Sequence, residues 1–357
     1  MKRGRTILVI LLGPFFLFAS VAKSSTAPSP DWRYIVGCTI VDKSGRTVRE
    51  YPGSLCHFFP DGKVLSGDRP GLTMYRADMS VIWKKNIDVH HQFNFTADGK
   101  NILVQSSSIH LFKKRKTRFD RLLVLDLGGK ELKSYDLFEH LPEFEKLRPD
   151  IYGDKVWTVS VGAEGGSLPS FEYSHVNSFY EIPVNSSSKK LPPFKAAGFI
   201  VNSNALAMTF VLDDKLKNIL WSIAHTGAGK YVTIRHDVHV LENGKLLFYE
   251  NTWAGANGRA SAVLEYDPIE KSTNIVYKGS PEHPFASSVQ GNVQKFADGG
   301  YLISEITNGP RGFEINSSGK EILSIASPNV DKEGKPSGLQ FFTRADLRSF
   351  LDSNKGL

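Results

Sequence analysis

From about residue 32 onward the chain is written in short apolar runs of four to seven residues that alternate with polar turns. The alternation has the period of a strand with one buried face, and few segments carry the three-to-four spacing of a helix. A composite unit recurs along the chain. A polar or histidine-bearing lead-in meets a tight turn, an apolar strand follows, and a second hairpin closes the unit. The turns are Asp61-Gly62 before KVLSG, Asp98-Gly99 before KNILVQ, Asn243-Gly244 before KLLFYE and Asp298-Gly299 before GYLISE. Asp-Gly and Asn-Gly pairs suit two-residue hairpin turns with both central residues at φ > 0. The second hairpins, LLVLDLGGKELKSYDL, FVLDDKLKNILWSI, VLEYDPIEKSTNIVY and GFEINSSGKEILSI, also resemble one another.

A four-strand unit repeated every few tens of residues predicts an all-β, single β-propeller. Units begin near Ser54, His91, His175, His236 and Gln290, and YIVGCTIVDKSGRTVREY looks like a second hairpin without its first half. An N-terminal strand or hairpin that completes the last blade closes a ring of six. A five-bladed ring, a β-sandwich or two smaller β domains fit the same alternation; the repetition favours the propeller. Residues 139–174 read as an insertion between blades, and TRADLRSFLDSN as a short C-terminal helix.

Before the repeats stand Lys2, Arg3 and Arg5, then ILVILLGPFFLFA, then small residues at Ser20–Ala22. A charged start, an apolar stretch and a small-residue exit are the parts of a secretory signal. Gly13 and Pro14 interrupt a run already short for a membrane span, although a retained anchor has the same composition. The expected organisation is a signal peptide at 1–22, a linker at 23–31, the propeller at 32–345 and a tail at 346–357. The protein is then periplasmic or secreted, and touches a membrane only if the signal segment stays uncleaved.

The signal changes what the charge means. The formal charge of +7 suggests nucleic acid, but residues 1–22 hold three of the 44 basic residues and none of the 37 acidic ones. The mature chain is left near +4, and its one basic tract, Lys113–Lys116, reads as a solvated loop rather than a phosphate-binding strip. Export also bears on the two cysteines. Cys38 and Cys56 are a disulfide or two buried thiols, and their spacing does not decide between them. No cysteine–histidine pattern of a structural zinc site is present.

Several common chemistries lack their motif. TGAGKY misses the leading glycine of a phosphate loop and has Tyr231 where a magnesium-binding hydroxyl belongs. No G-x-S-x-G elbow and no glycine-rich strand–helix unit occurs. The histidines remain. Of ten, His57, His90, His91, His175, His236 and His239 fall at lead-ins of successive units. In a propeller the innermost strand of each blade lines the central channel, so residues at matching lead-ins converge near the axis. An imidazole cluster there can serve as nucleophile, acid or base, or bind a metal. Apart from Asp237, the cluster lacks the regular carboxylates or thiolates of a metal site, so neither metal nor cofactor is expected.

HHQFNFTADGKNILV, LLVLDLGGKELKSYDLFEHL, SHVNSFYEIPVN, RHDVHVLENGKLLFYEN and ASAVLEYD resemble, in that order, segments of the bacterial aryl sulfotransferases. The likeness runs from about residue 54 to 325. It implies an exported six-bladed propeller that moves a sulfuryl group from an aryl sulfate to a phenol without a nucleotide donor. By the same resemblance His236 is the histidine that becomes transiently sulfated, and His91, beside His90, handles the phenol proton or stabilises charge. His175 and Asn177 hold sulfuryl oxygens.

One position departs from the family. Where the resemblance expects an arginine that grips the sulfuryl group, the strand GFIVNSNALAMTF offers Asn204, which is neutral and lacks the charged fork. Arg235 and Arg259 are the candidate replacements. The same departure favours an alternative function: a non-catalytic propeller that binds a small anionic or aromatic ligand in its funnel. His57 and Arg311 read as structural, and His239 as facing away from His236.

Overall fold

A computed structural model describes residues 31–68, 71–89, 91–149, 171–225, 234–251, 261–279, 284–306, 309–337 and 339–354. The signal segment, the linker up to residue 30, His90, Arg259, the TGAGKY string and residues 150–170 of the insertion lie outside the described residues.

Six antiparallel sheets form a six-bladed β-propeller. The first blade carries β1 (Trp32–Val36), β2 (Thr39–Val41) and β3 (Thr47–Glu50). The second holds β4 (Leu55–Phe58), β5 (Val64–Asp68), β6 (Gly71–Tyr75) and β7 (Val81–Lys85). The third has β8 (Phe93–Phe95), β9 (Asn101–Phe112), β10 (Arg115–Asp126) and β11 (Glu131–Asp136). Helix α1 (Leu141–Leu147) and the short β12 (Phe171–Glu172) follow, and β12 pairs in parallel with β10.

The fourth blade is β13 (Val176–Glu181), β14 (Phe199–Ser203), β15 (Met208–Leu212) and β16 (Ile219–Ala224). The fifth is β17 (Ile234–Val240), β18 (Leu246–Asn251), β19 (Ala262–Asp267) and β20 (Ser272–Lys278). The sixth is β21 (Val293–Lys295), β22 (Tyr301–Glu305), β23 (Arg311–Ile315) and β24 (Glu321–Ala326). The chain then returns as β25 (Phe342–Asp346) and ends in α2 (Arg348–Ser353).

Ring closure uses both ends of this unit. β25 is the innermost strand of the first blade and pairs with β1 from Trp32↔Asp346 to Val36↔Phe342. Three N-terminal strands therefore join one C-terminal strand, rather than a hairpin alone. Thr343–Asp346, read from sequence as the start of a helix, are strand, because the inner edge of β1 needs a partner for its backbone groups. The helix is confined to Arg348–Ser353.

The turns also differ from the two-residue form. Gly62, Gly99, Gly244 and Gly299 have φ of 85°, 68°, 78° and 85°, but the preceding Asp or Asn residues are not left-handed. Each of those side chains instead accepts a hydrogen bond from the backbone two residues on: Asp61 from Lys63, Asp98 from Lys100, Asn243 from Lys245 and Asp298 from Gly300. This asparagine-type turn with glycine in the left-handed position is the longer hairpin loop, and it recurs in four blades.

The buried apolar side chains form six clusters, one between each pair of neighbouring blades. Phe119, Phe144, Phe179 and Phe210 fill the space between the third and fourth blades, and Tyr249, Phe285 and Phe313 that between the fifth and sixth. Because both faces of a blade are covered, the middle strands β5, β14, β15 and β22 are buried almost throughout. Outer strands such as β20 and β24 keep solvent-facing positions.

Polar side chains along the channel tie blade to blade. Asn94 donates to the Phe179 carbonyl, Asn292 to that of Phe342, and Gln294 exchanges bonds with the backbone of Arg344. Gln92 donates to the Tyr180 hydroxyl, which donates to the Asp237 carboxylate, which in turn accepts from the Val293 amide. That chain runs across four blades. Arg311 bridges Glu305 and Glu321 over the ring of Phe313, a structural role within the sixth blade.

Cys38, between β1 and β2, is bridged to Cys56 of β4 with a Cα–Cα distance of 4.7 Å. The bond joins the closing blade to its neighbour. It closes a segment of 18 residues, which on chain entropy is worth about 3 kcal/mol. The Cys38→Ala, Cys56→Ala double variant is expected to lose about that much in urea unfolding while remaining folded. An unchanged midpoint would show that the bond does not hold the ring.

Candidate active site

The lead-in residues of three blades meet at one end of the channel. His91 stands two residues before β8, His175 immediately before β13, and His236 within β17. The Nε2 atoms of His91 and His175 are 3.1 Å apart. The His91 ring centroid lies 4.9 Å from that of His175 and 6.0 Å from that of His236, edge to face in both cases. His91 has φ 62°, His175 φ 45° and Asp237 φ 55°. Left-handed backbone at non-glycine residues costs roughly 1–3 kcal/mol each and persists where the surroundings over-determine it, often at functional sites. Here it interrupts the strand alternation as the three imidazoles come together.

His236 is held by one neighbour. Its Nδ1 lies 2.6 Å from Oδ1 of Asn251, at the end of β18. Asn251 donates through Nδ2 to the carbonyls of Ser287, at 2.9 Å, and Gln290, at 2.7 Å. With its nitrogen committed to two acceptors, the amide must present oxygen to His236. The proton therefore sits on Nδ1, and Nε2 carries the lone pair. Burial pushes the imidazole down to about 4, with Asn251 acting against it and the charge of His175 adding to it. At neutral pH His236 is an uncharged base of fixed tautomer.

His175 has a different environment. Its Nδ1 lies 2.8 Å from Oε2 of Glu172, which is wholly buried on β12. The other oxygen of Glu172 accepts from the guanidinium of Arg118 on β10, itself within 3.8 Å of Asp88. Asp120, also on β10, accepts from the Ser174 hydroxyl and the Val176 amide. Burial pushes Asp120 up to about 6, helped by the charge of Glu172. Burial also raises Glu172, but the charge and Nδ1–H of His175, with Arg118 behind, outweigh it and hold the carboxyl low.

The remaining candidates are placed as follows. Asn177 is buried; it donates to the Arg235 carbonyl at 2.5 Å and accepts from Asn202 at 2.6 Å. Asn202 donates to the same carbonyl at 2.8 Å. Asn204 Oδ1 accepts from the Arg235 amide at 3.2 Å, and its own amide donates to the His175 carbonyl at 3.0 Å. These three asparagines thus fix the start of β17, just before His236, against the fourth blade. Arg235 points away from the imidazoles, as the residue next to His236 on a strand must. Its guanidinium lies over Phe248 at 4.5 Å, with Glu250 3.7 Å from Nε.

His57 does not join the three. Its ring packs between Phe59 and Phe95, where burial pushes it down to about 4. His239 donates from Nδ1 to the Asp237 carbonyl and packs near Tyr180.

Asn251, Glu172, Arg118, Asn202 and Tyr180 were not singled out from sequence. Two signals could have found them: a glutamate three residues before His175 in FEYSH, and charged residues at Arg118 and Asp120 inside a central strand with both faces covered.

The all-β ring thus brings three imidazoles of its third, fourth and fifth blades together, with a buried carboxylate behind His175 and an amide behind His236. The chain belongs to the arylsulfotransferase (ASST) family, whose model matches residues 72–327. Aryl sulfotransferase-like activity, with aryl sulfates and phenols as small-molecule substrates, follows from that membership. No curated protein matches the chain.

Among solved structures, a protein of unknown function from Bacteroides caccae is similar over 88% of this chain and 99% of its own, with 16% identity and a TM-score of 0.53. It shares the fold. An oligogalacturonate lyase in complex with manganese aligns over 81% of this chain and 70% of its own, at 10% identity and a TM-score of 0.43. Hsv2 from Kluyveromyces lactis aligns over 88% and 98%, at 10% identity and a TM-score of 0.38.

Proposed function

We propose that this protein is an exported aryl sulfotransferase that passes the sulfuryl group through a sulfo-histidine on His236. The observation that carries the proposal is the fixed tautomer of that buried imidazole. Asn251 holds the proton on Nδ1, so the lone pair is on Nε2 of a ring that lies 6.0 Å from that of His91. In the first displacement Nε2 attacks sulfur, a nitrogen–sulfur bond forms, and the sulfur–oxygen bond to the donor breaks to release a phenolate. In the second, the oxygen of an acceptor phenol bonds to the same sulfur as its proton passes through His91 to solvent, balancing the proton taken up by the released phenolate, and the nitrogen–sulfur bond breaks to return His236 to its neutral form. Dividing the transfer in this way needs no external cofactor.

The sulfuryl oxygens keep spread negative charge in both steps, so fixed donors beside Nε2 lower the barrier. His91, whose ring lies 6.0 Å from that of His236, is the nearest candidate for such a donor. The Cys38–Cys56 bridge supports an oxidising compartment, in keeping with a signal peptide at 1–22 and a periplasmic or secreted protein. Asn204 in place of the expected arginine supports the second reading, a propeller that binds an anionic or aromatic molecule without turnover.

Purified protein incubated with a chromogenic aryl sulfate and a phenol separates the two readings. Formation of the acceptor's sulfate ester together with the released chromogen is expected. Saturable binding of the aryl sulfate with no product would contradict the enzyme and favour the binding module.

A further inference from the structure

His57 takes no part in the imidazole cluster, yet it is not sealed in the core. It lines a cavity of about 290 Å³ in the channel, walled mainly by the inner strands β4, β8, β21 and β25. None of His91, His175 and His236 lines that cavity. We infer that it is a second small-molecule site, which takes an uncharged phenol with His57 as a hydrogen-bonding partner. The inference goes beyond sulfuryl transfer and does not depend on it.

His57 and Phe95 are the third residues of β4 and β8, whereas His91 precedes β8, so the His57 end lies deeper in the channel than His91. The His57 ring sits 4.2 Å from that of Phe95 and 4.7 Å from that of Phe59. Those two phenyl rings meet edge to face at 5.7 Å. Such packing fixes the imidazole but gives its nitrogens nothing to bond. Neither ring nitrogen has a hydrogen-bond partner among the described residues, nor is either shut away from the cavity. Burial alone pushes the imidazole down to about 4. At neutral pH it is therefore uncharged, with one lone pair and one N–H to offer.

The rest of the lining decides what fits. Asn292 and Gln294 commit their amides to the backbone of Phe342 and Arg344. Gln92 and Asn94 donate through nitrogen to the Tyr180 hydroxyl and the Phe179 carbonyl, which leaves their oxygens as acceptors. Arg344 has its guanidinium over Phe296 at 3.5 Å, Nη1 on Glu314 at 3.0 Å and Nε enclosed by protein. No aspartate or glutamate among the described residues lines the cavity.

A charged ligand would give up its hydration here without gaining an opposite charge. An anion would also meet the two amide oxygens. An O–H donor suits those oxygens and the imidazole alike, and Ile35, Leu55, Phe93 and Phe341 supply apolar wall for a ring. The volume agrees with one ring and a small substituent. An apolar cavity of about 150 Å³ takes benzene, and pockets for drug-sized ligands begin near about 300 Å³.

The test follows binding and needs no turnover. The probes are para-fluorophenol, which is uncharged at neutral pH, fluorobenzene, and the anion para-fluorobenzenesulfonate. Imidazole nitrogen resonances of histidine-labelled protein are recorded during each titration, with His57 assigned through its contacts to the Phe59 and Phe95 rings. para-Fluorophenol is expected to shift the His57 resonances saturably, and the sulfonate to leave them in place. His57→Phe keeps the aromatic packing, and the Thr343 methyl resonance reports the same cavity in that variant. There para-fluorophenol is expected to bind about fivefold more weakly, the worth of one net hydrogen bond, while fluorobenzene binds no worse.

His57 resonances that ignore para-fluorophenol up to its solubility limit overturn the inference and leave a cavity that holds water alone. So does an equal response to the sulfonate, or equal affinity for para-fluorophenol in wild type and a folded His57→Phe. Where that variant does not fold, the wild-type titrations decide by themselves. A protein that transfers no sulfuryl group leaves these outcomes unchanged, and a working transferase whose His57 ignores the phenol loses this inference alone.

Discussion

His236→Ala is expected to lower sulfuryl transfer by about 10⁴-fold or more, because it removes the atom proposed to form the nitrogen–sulfur bond. His91 and His175 cannot take over. Their facing nitrogens are engaged with each other and, for His175, with Glu172. The variant leaves the Asn251 oxygen without its imidazole partner, which costs about 1–3 kcal/mol for an unsatisfied buried acceptor. Six interblade clusters remain untouched, so the ring should still fold. Circular dichroism and urea unfolding check that, and transfer from a chromogenic aryl sulfate to a phenol reads the activity. Full transfer by a folded His236→Ala protein would remove His236 from the mechanism.

The second large effect belongs to a residue that touches no substrate. Asn251→Leu keeps approximate volume but loses the acceptor for His236 Nδ1–H and both bonds to the Ser287 and Gln290 carbonyls. The imidazole is then free to place its proton on either nitrogen and to rotate. A loss of about 10²–10³ in kcat is expected, in the range seen when a fixed donor or orienting group is removed from a transfer site. Glutamine-length or charged substitutes test the cause further. Asn251→Asp retains an acceptor for Nδ1–H but faces two carbonyls with a carboxylate, so it should keep more activity than the leucine variant at a cost in stability. Equal kcat in wild type and Asn251→Leu would show that tautomer control is not limiting.

Much of this architecture was legible because the propeller is a repeat. The starts read at Ser54, His91, His175 and Gln290 fall within three residues of β4, β8, β13 and β21. His236 lies inside its inner strand. Lead-ins that match in sequence converge in space, so His91, His175 and His236 could be grouped before any coordinates. The supporting residues were not legible, for different physical reasons. Asn251 closes β18 and meets His236 only through the antiparallel pairing of β17 with β18, where its alternation places it beside the imidazole. Glu172 depends on β12 lying parallel to β10, a contact made by a two-residue strand with no pattern of its own. Thr343–Asp346 looked helical because local preference was read without the demand of β1 for an inner partner. In each case a long-range pairing decided what a local pattern could not.

The central claim is that the sulfuryl group rests on His236 between donor and acceptor. The direct measurement is mass spectrometry of the protein after exposure to an aryl sulfate with no phenol acceptor, followed by peptide mapping under conditions that preserve nitrogen–sulfur bonds. The account expects one added sulfuryl group per chain, on the peptide that carries His236, discharged when a phenol is added and absent from His236→Ala. Turnover with no such adduct, or an adduct on another residue that a phenol discharges, would contradict it.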